Sequence, residues 1–399
     1  MSSRILPLLA VLCLVFVSCS PDEEAVTTTT TIPTTTTTEP TTTTTEPTTT
    51  TTEPVVIEGA PEELTALVRA FYLFASGQTP AAPTLPVELL ATVPRVEVDY
   101  PHSGTAAVGT FLEQSVATIE MEGDLFLAVD DGSGWQIVGG SWPSLSMPAY
   151  FGGAPRHVAV VGSDARPGED PAQTRADSIH FVALDGNGAG AIVGLPRDSW
   201  VTVPGRGNTK VNSALAIGGP ESMMATFNQL TGLPLEGYVL TGFAGFESLL
   251  SSVLGGVTVN VPFSINDQWA HVSLGAGEQL LNGAQALGFA RARKTVPGGD
   301  FTRSEHQGVI LIAAARAAKE MGYLALPQLL EKSQPHFTTD LTPEQLLTFS
   351  AMVMAADPGS MTNVVAPGSP GSAGGASVVF LSSSVSALWT DLGDGVLGN

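Results

Sequence analysis

The stretch HVAVVGSDARPGEDPAQTRADSIHFVALDGNGAGAIVGLPRDSW, His157 to Trp200, holds three short apolar runs, each meeting charge at one end. HVAVVG runs into Asp164-Ala165-Arg166, Arg175 and Asp177 stand just before IHFVAL, and AIVGL ends in Pro196-Arg197-Asp198. Runs of this length, rich in Val and Ile and bounded by Gly, Pro and Asp, predict strands. GYVLTGF and VTVNVPF read the same way further on. Between the strands lie helical patterns: GPESMMATFNQLTG, whose final Gly232 fits a C-cap, GFESLLSSVLGG, and the long run after Arg303. Strands interleaved with helices predict an α/β fold over residues 150–399, layered α/β/α around a mixed sheet. In open α/β sheets ligands bind at the carboxyl ends of strands, so the charged ends are expected at one rim.

The cations support that expectation because they are scarce. The 399-residue chain has 16 Lys and Arg against 38 Asp and Glu, a formal charge of −22. Such a balance excludes a general nucleic-acid binder, which needs a broad basic surface; an anionic ligand would have to be held locally. Ten of the 16 cations fall between Arg156 and Arg303. Lys210 sits with Asn212 in a polar, glycine-flanked stretch, and Arg291, Arg293, Lys294 and Arg303 crowd together. Read as strand, LGFARAR would project Arg291 and Arg293 from one face with Cα atoms about 6.6 Å apart, a spacing suited to two linked phosphates. Asp300, Arg303 and Gln307 follow at the expected start of a long helix, where Arg303 and Gln307 share a face and free backbone N–H groups favour anions. The set reads as a diphosphate cradle. Any single Arg in it is equally explained by an ordinary ion pair with a neighbouring carboxylate. Asp164 and Asp177 either cap turns at strand ends or supply carboxylates to Mg²⁺, which commonly takes one or two and completes its shell with water and phosphate oxygens.

Upstream, the apolar run Ile5–Val17 is thirteen residues long, short of the roughly twenty a membrane-spanning helix needs; with Arg4 before it, it reads as an export signal over residues 1–19. Cys19 after FVS resembles a lipoprotein acylation site, the alternatives being ordinary signal cleavage or a short uncleaved anchor. With Cys13 inside the run, acylation of Cys19 would leave no cysteine pair for a disulfide. Residues 20–54 form a Thr-rich linker in which TTTTTEP occurs three times; too polar to offset its conformational entropy, it could span about 90 Å when extended. Residues 55–145 predict a small α+β domain: PEELTALVRAFYLFAS as helix, and RVEVDY, SVATIEMEG, DLFLAVDDG and GWQIVGGSW as strands. It shows no acid, base and nucleophile together, and its expected role is as a spacer or protein contact. The six His have no zinc-ligand spacing, and neither a P-loop nor G-x-S-x-G occurs.

From about His157 onward the chain resembles the LytR-CpsA-Psr family of cell-wall glycopolymer transferases. VVGSDAR, TRADS, GLPRDSWVTVPG, TKVNSALAIGGPE, GGVTVNVPF, LNGAQALGFARARK and GDFTRSEHQ carry the likeness, in order, over roughly 240 residues. The resemblance implies an α/β/α fold and Mg²⁺-assisted transfer of a glycan phosphate from a polyprenyl-pyrophosphate carrier to a hydroxyl of the wall, commonly peptidoglycan, outside the cytoplasmic membrane. By position, Asp164 and Asp177 would be the magnesium-associated acids. Arg175, Arg197, Lys210, Arg291, Arg293, Arg303 and Gln307 would bind pyrophosphate, Arg166 would belong to the same pattern, and Asp300 would be a general base or an orienter of arginine. A polyprenyl-pyrophosphatase, or a non-catalytic module binding prenyl phosphate or wall polymer, would use the same cradle. Three departures stand out: the family usually has a longer N-terminal transmembrane helix where this sequence suggests a lipid anchor or cleavable leader, His306 occupies a position where the family often has Arg, and Thr302 one where it often has Gly.

Overall fold

A computed structural model describes residues 55–398; the leader, Cys19 and the Thr-rich linker lie outside them. Among the described residues no helix is long and apolar enough to cross a membrane.

The N-terminal part contains β1 (Val56–Glu58), α1 (Glu62–Ala75), the short α2 (Val87–Leu90), β2 (Ser103–Phe111), β3 (Gln114–Met121), β4 (Asp124–Asp130) and β5 (Trp135–Ser141). The strands form one sheet in chain order, β1 parallel to β2 and the rest antiparallel. One face packs on α1: Phe71 stacks on Trp142 at 5.0 Å and meets Phe126 edge-on at 5.2 Å. The RVEVDY segment, expected as a strand, is not one. Its ends are held by α1 and the following turn instead: Tyr100 stacks on Tyr72 at 4.9 Å, and Arg95 lies over Phe74 while donating to the Thr79 carbonyl. The strand that pairs there is Ser103–Phe111, whose small residues carry a weak apolar signal.

The C-terminal part opens with β6 (Arg156–Ser163), β7 (Ala176–Leu184) and β8 (Gly190–Gly194), followed by the hairpin β9 (Trp200–Val203) and β10 (Gly207–Lys210). Then come α3 (Ser213–Thr231), β11 (Gly237–Thr241), α4 (Phe243–Ser248), β12 (Val257–Val261), β13 (Ile265–Asp267), β14 (Val272–Leu274) and β15 (Gly277–Leu281). The remainder is α5 (Gly283–Arg291), α6 (Asp300–Met321), α7 (Leu326–Ser333), β16 (Thr338–Thr339), α8 (Pro343–Ala355), β17 (Thr362–Val365), the hairpin β18 (Gly368–Ala373) and β19 (Ala376–Leu381), and α9 (Val385–Asp391).

Six strands make the central mixed sheet in the order β16-β11-β6-β7-β8-β17. β11 is parallel to β6 and β17 to β8, while β7 runs antiparallel between β6 and β8. The register aligns Ala159, Phe181 and Val193 on one face, packed on Phe227 of α3 and Trp389 of α9. The adjacent row, Val158, Val182 and Ile192, faces α8 and shares its core with the other face of the N-terminal sheet, through Phe111, Leu127 and Leu330. β4 is therefore covered on both sides, by α1 and by α7 and α8, which is why DLFLAVD reads as a continuous apolar run. The strand arrangement brings the carboxyl ends of β6, β8 and β11 and the start of β7 to a single rim.

Candidate active site

At that rim a pocket enclosing about 240 Å³ opens between the sheet, α4, α5 and α6. Its body is apolar, with Val160 and Val161 of β6, Phe243 and Phe246 of α4, Leu287 and Ala290 of α5 and Leu311 of α6; its mouth carries Asp177, Arg197, Arg291, Arg293, Lys294, Arg303 and Gln307. Two polar clefts adjoin it. One, with Asp164, Arg166 and Arg175, shares Asp177, Phe243 and Arg291 with the pocket. The other, with Lys210, Asn212 and Asp300, shares Arg197 and Arg293. All the candidate residues of the described chain thus border one connected region. Arg166 lines the first cleft but not the pocket itself, its backbone N–H bonded to Glu169.

The local chemistry explains how each arrives. The strand expected at LGFARAR is the end of helix α5: Asn282 accepts from the Gln285 N–H at 2.9 Å while the Gln285 side chain accepts from the Asn282 N–H at 3.0 Å. This reciprocal cap starts a helix, and GAQALGFA continues it. Arg291 and Arg293 are therefore not neighbours on a pleated face; Arg291 ends the helix with its guanidinium 4.6 Å from the Phe243 ring centre, and Arg293 follows where the chain turns extended at Ala292. Gly298 and Gly299, both at positive φ, reverse the chain into α6, a conformation that disfavours side chains with a Cβ. Arg303 and Gln307 then share the helix face turned to the pocket.

Arg175, Arg197, Lys210, Arg293 and Arg303 also face a carboxylate, whereas Arg291 and Lys294 lie over the rings of Phe243 and Trp269. Arg175 donates from Nε and Nη2 to Asp164 Oδ2, at 3.1 and 2.8 Å, and its backbone N–H bonds Asp164 Oδ1. Arg197 Nη1 is bonded to Asp177 Oδ2, and Lys210 reaches Asp198 at 2.8 Å. Asp300 lies between Arg303 Nη2 at 2.8 Å and Arg293 Nη1 at 3.5 Å, contacts of charge without hydrogen-bond geometry. The ordinary ion pairs exist, therefore, but they form a contiguous wall rather than isolated surface contacts. Several of their polar atoms are buried without hydrogen-bond partners among the described residues: Asp177 Oδ1, Arg197 Nε, Arg303 Nε and both Asp300 carboxylate oxygens. Unpaired donors and acceptors of this kind are costly in a finished core and mark a site built for something polar.

Burial works against the Arg197 charge, but Asp177, Asp300 and Asp198 outweigh it and hold the group above its ordinary pKa. Burial dominates at Arg303, which is 6% exposed, and lowers it to about 10 against the pull of Asp300; it remains a cation at neutral pH. Two carboxylates beside a cationic wall are a donor set compatible with Mg²⁺, which draws most of its ligands from water and bound anions. Asp177 Oδ1, buried and unpartnered, fits such an ion; both oxygens of Asp164 are engaged by Arg175.

Sequence reading overlooked Asp267. It is buried, and Oδ1 accepts the N–H groups of Trp269 and Ala270 while Oδ2 accepts those of Arg293 and Lys294, at 2.9 to 3.3 Å. Burial pushes its pKa up, but these backbone donors outweigh it and hold the carboxyl below its usual range. The residue ties the β13–β14 turn to the cationic segment. An Asp before a turn was the only available signal, and nothing in the spacing shows that its second oxygen reaches 26 residues onward.

Two histidines beneath the site are neutral. His180 bonds the Ser304 carbonyl and His306 stacks on Phe289 at 4.1 Å; burial lowers each to about 4. Because the folded pKa lies below the unfolded value of about 6.5, neither affects stability above that value. As pH falls from there towards 4 the unfolded chain takes up protons first, and stability drops by about 3 kcal/mol per histidine. Thermal melts between pH 7 and pH 4 should show this decline, and His306→Leu should flatten it; an unchanged slope in that variant would contradict the assignment.

The LytR_cpsA_psr family profile matches residues 151–392. Probable cell wall biosynthesis protein LcpB of Corynebacterium glutamicum is 33% identical over 180 residues, 42% of this chain and 43% of that protein. Polyisoprenyl-teichoic acid--peptidoglycan teichoic acid transferase TagU of Bacillus mycoides is 31% identical over 195 residues, 48% of this chain and 62% of its own length. The chain spans about half the length of the curated relatives it matches. Among solved structures, B. subtilis TagV superposes with a TM-score of 0.52 at 24% identity, covering 60% of this chain and 97% of that one. With a profile match over more than half its residues, the chain belongs to the LytR_cpsA_psr family.

Proposed function

We propose that the protein transfers a glycan phosphate from a polyprenyl-pyrophosphate carrier to a hydroxyl of a cell-wall polymer, peptidoglycan being the foremost acceptor. The observation that carries this reading is an apolar pocket rimmed by Arg197, Arg291, Arg293 and Arg303. A prenyl chain matches the body and a pyrophosphate the rim. The names of the relatives, LcpB and TagU, support the substrate class.

In this mechanism the acceptor oxygen attacks the phosphorus that carries the glycan. A new P–O bond forms to the acceptor, the bond to the bridging oxygen breaks, and the electron pair leaves with polyprenyl phosphate. Arg197, Arg293 and Arg303 offer fixed cationic donors to the oxygens on which charge grows, the arrangement that stabilises a transition state most. Arg291 and Gln307 bind alongside them, and Arg175 and Lys210 extend the wall to the two clefts. Asp300 lines the cleft from which a hydroxyl would approach, with neither oxygen in a hydrogen bond, and in this mechanism it would take the proton. Asp177, with Asp164 beside it, would hold Mg²⁺, whose contribution would be to neutralise phosphate charge. An export signal and an acylated Cys19 would put this site at the outer face of the membrane, where the lipid-linked donor resides.

Purified protein, Mg²⁺ and a lipid-linked oligosaccharide, incubated with and without peptidoglycan, test the reading. Label is expected on the peptidoglycan, at a rate that chelation by EDTA lowers by at least about tenfold. Equal release of free glycan phosphate in both samples would make the protein a pyrophosphatase, and tight donor binding without turnover would make it a binding module. A rate indifferent to EDTA would remove the role given to Asp164 and Asp177.

A further inference from the structure

Beyond the cleft that holds Lys210 and Asp300, a second groove of about 400 Å³ lies between the β9–β10 and β18–β19 hairpins and the end of α3. None of the residues that line it is charged, although the chain as a whole carries −22. Trp200 and Phe380 supply aromatic surface, and Thr202, Asn208, Gln229 and Ser382 supply hydroxyls and amides. Phe380 is 45% exposed. Its orientation is set by Gly371, where even a methyl group would stand 2.6 Å from the ring edge.

The chemistry of this lining selects its occupant. A pyranose presents C–H groups on one face, which pack on an aromatic ring, and hydroxyls around its edge, which both donate and accept, as amides and hydroxyls do. An anionic polymer would find no cation here, a basic peptide no carboxylate. We infer that the groove binds a neutral polysaccharide strand, and that it is an acceptor-holding subsite remote from the phosphate chemistry.

Its connection to the site is direct. Val379 N–H donates to the Asp198 carbonyl at 2.9 Å, and Asp198 is the partner of Lys210. Ser377, Val378 and Val379 line the cleft beside Arg197 and Arg293, while the next residues, Phe380 and Leu381, line the groove, so the strand runs from one into the other. β19 is thus a shared wall, and a strand of sugars crossing it would bring a hydroxyl towards Asp300 while its flanking sugars lie against Phe380 and Trp200. The reading of the groove as an acceptor site rests on the transfer proposed above; its sugar binding does not.

The test uses the full chain and peptidoglycan sacculi stripped of attached polymers, with co-sedimentation as the readout. Phe380→Ala and Gln229→Ala change exposed side chains, so the fold should survive, with Trp200→Ala as a third, less exposed variant. Each aromatic change is expected to weaken sedimentation about fivefold to tenfold, leave stabilisation by polyprenyl phosphate unchanged, and raise KM for the acceptor with kcat preserved. Parent protein that fails to sediment, or Phe380→Ala and Gln229→Ala binding within twofold of the parent, would overturn the inference. Weakened sedimentation in a protein that transfers nothing would keep the groove and end the transferase reading. Transfer with an unaltered acceptor KM in both variants would do the reverse.

Discussion

Arg303→Ala is expected to lower kcat by about 10²- to 10³-fold and to destabilise the protein by about 3 kcal/mol. Both effects come from one geometry. Arg303 is buried, Nη2 lies 2.8 Å from Asp300, and Nε has no hydrogen-bond partner among the described residues. Removing the guanidinium leaves the Asp300 carboxylate less compensated, with Arg293 at 3.5 Å as its remaining ion pair among the described residues and Arg197 acting from further away. It also takes away a donor aimed at the pocket mouth. Asp300→Asn in the Arg303→Ala background should restore much of the stability, because the unmatched charge is gone, without restoring the rate. Single-turnover kinetics with denaturant melts on both variants separates the two contributions. A rate within tenfold of the parent in Arg303→Ala would mean that Arg303 is only a structural cation.

Asp177→Asn should have the complementary effect. The substitution keeps the side-chain shape and removes the charge that faces Arg197 and, through the unpartnered Oδ1, the place where a cation fits. Turnover should fall by about 10²-fold or more, whereas affinity for polyprenyl pyrophosphate measured without Mg²⁺ should hold or rise, since a carboxylate no longer opposes the anion. Arg197, relieved of its main counter-ion, should lose part of its upward pKa shift but stay protonated. Equilibrium binding and turnover measured side by side decide the matter: parallel loss of both would make Asp177 a scaffold residue rather than a participant.

What could be read in the sequence, and what could not, follows from the range of each interaction. β6, β7 and β8 are legible because their apolar runs are short, bounded by turn residues and charged at one end. The cationic rim is legible for a compositional reason: in a chain with 16 Lys and Arg, four of them within thirteen residues at Arg291–Arg303 need a purpose. LGFARAR misled because alternation over four residues resembles a strand, while the Asn282–Gln285 cap that decides for a helix lies upstream. RVEVDY alternates as well, but Tyr100 finds an aromatic partner on α1 instead of a ladder. Asp267 and the neutral groove were invisible for another reason. Asp267 works through backbone N–H groups, which leave no residue signature, and the groove requires Ser199 and Val379, 180 positions apart, to meet as a bridge.

The central claim is that the apolar pocket takes a prenyl chain and its arginine rim the pyrophosphate. A structure of the protein with a polyprenyl pyrophosphate bound tests it most directly. The phosphorus atoms should lie within salt-bridge reach of Arg197, Arg293 and Arg303, with the chain running inward past Phe246, Leu287 and Leu311. A pyrophosphate found away from those three guanidinium groups, or a prenyl chain outside the pocket, would contradict it.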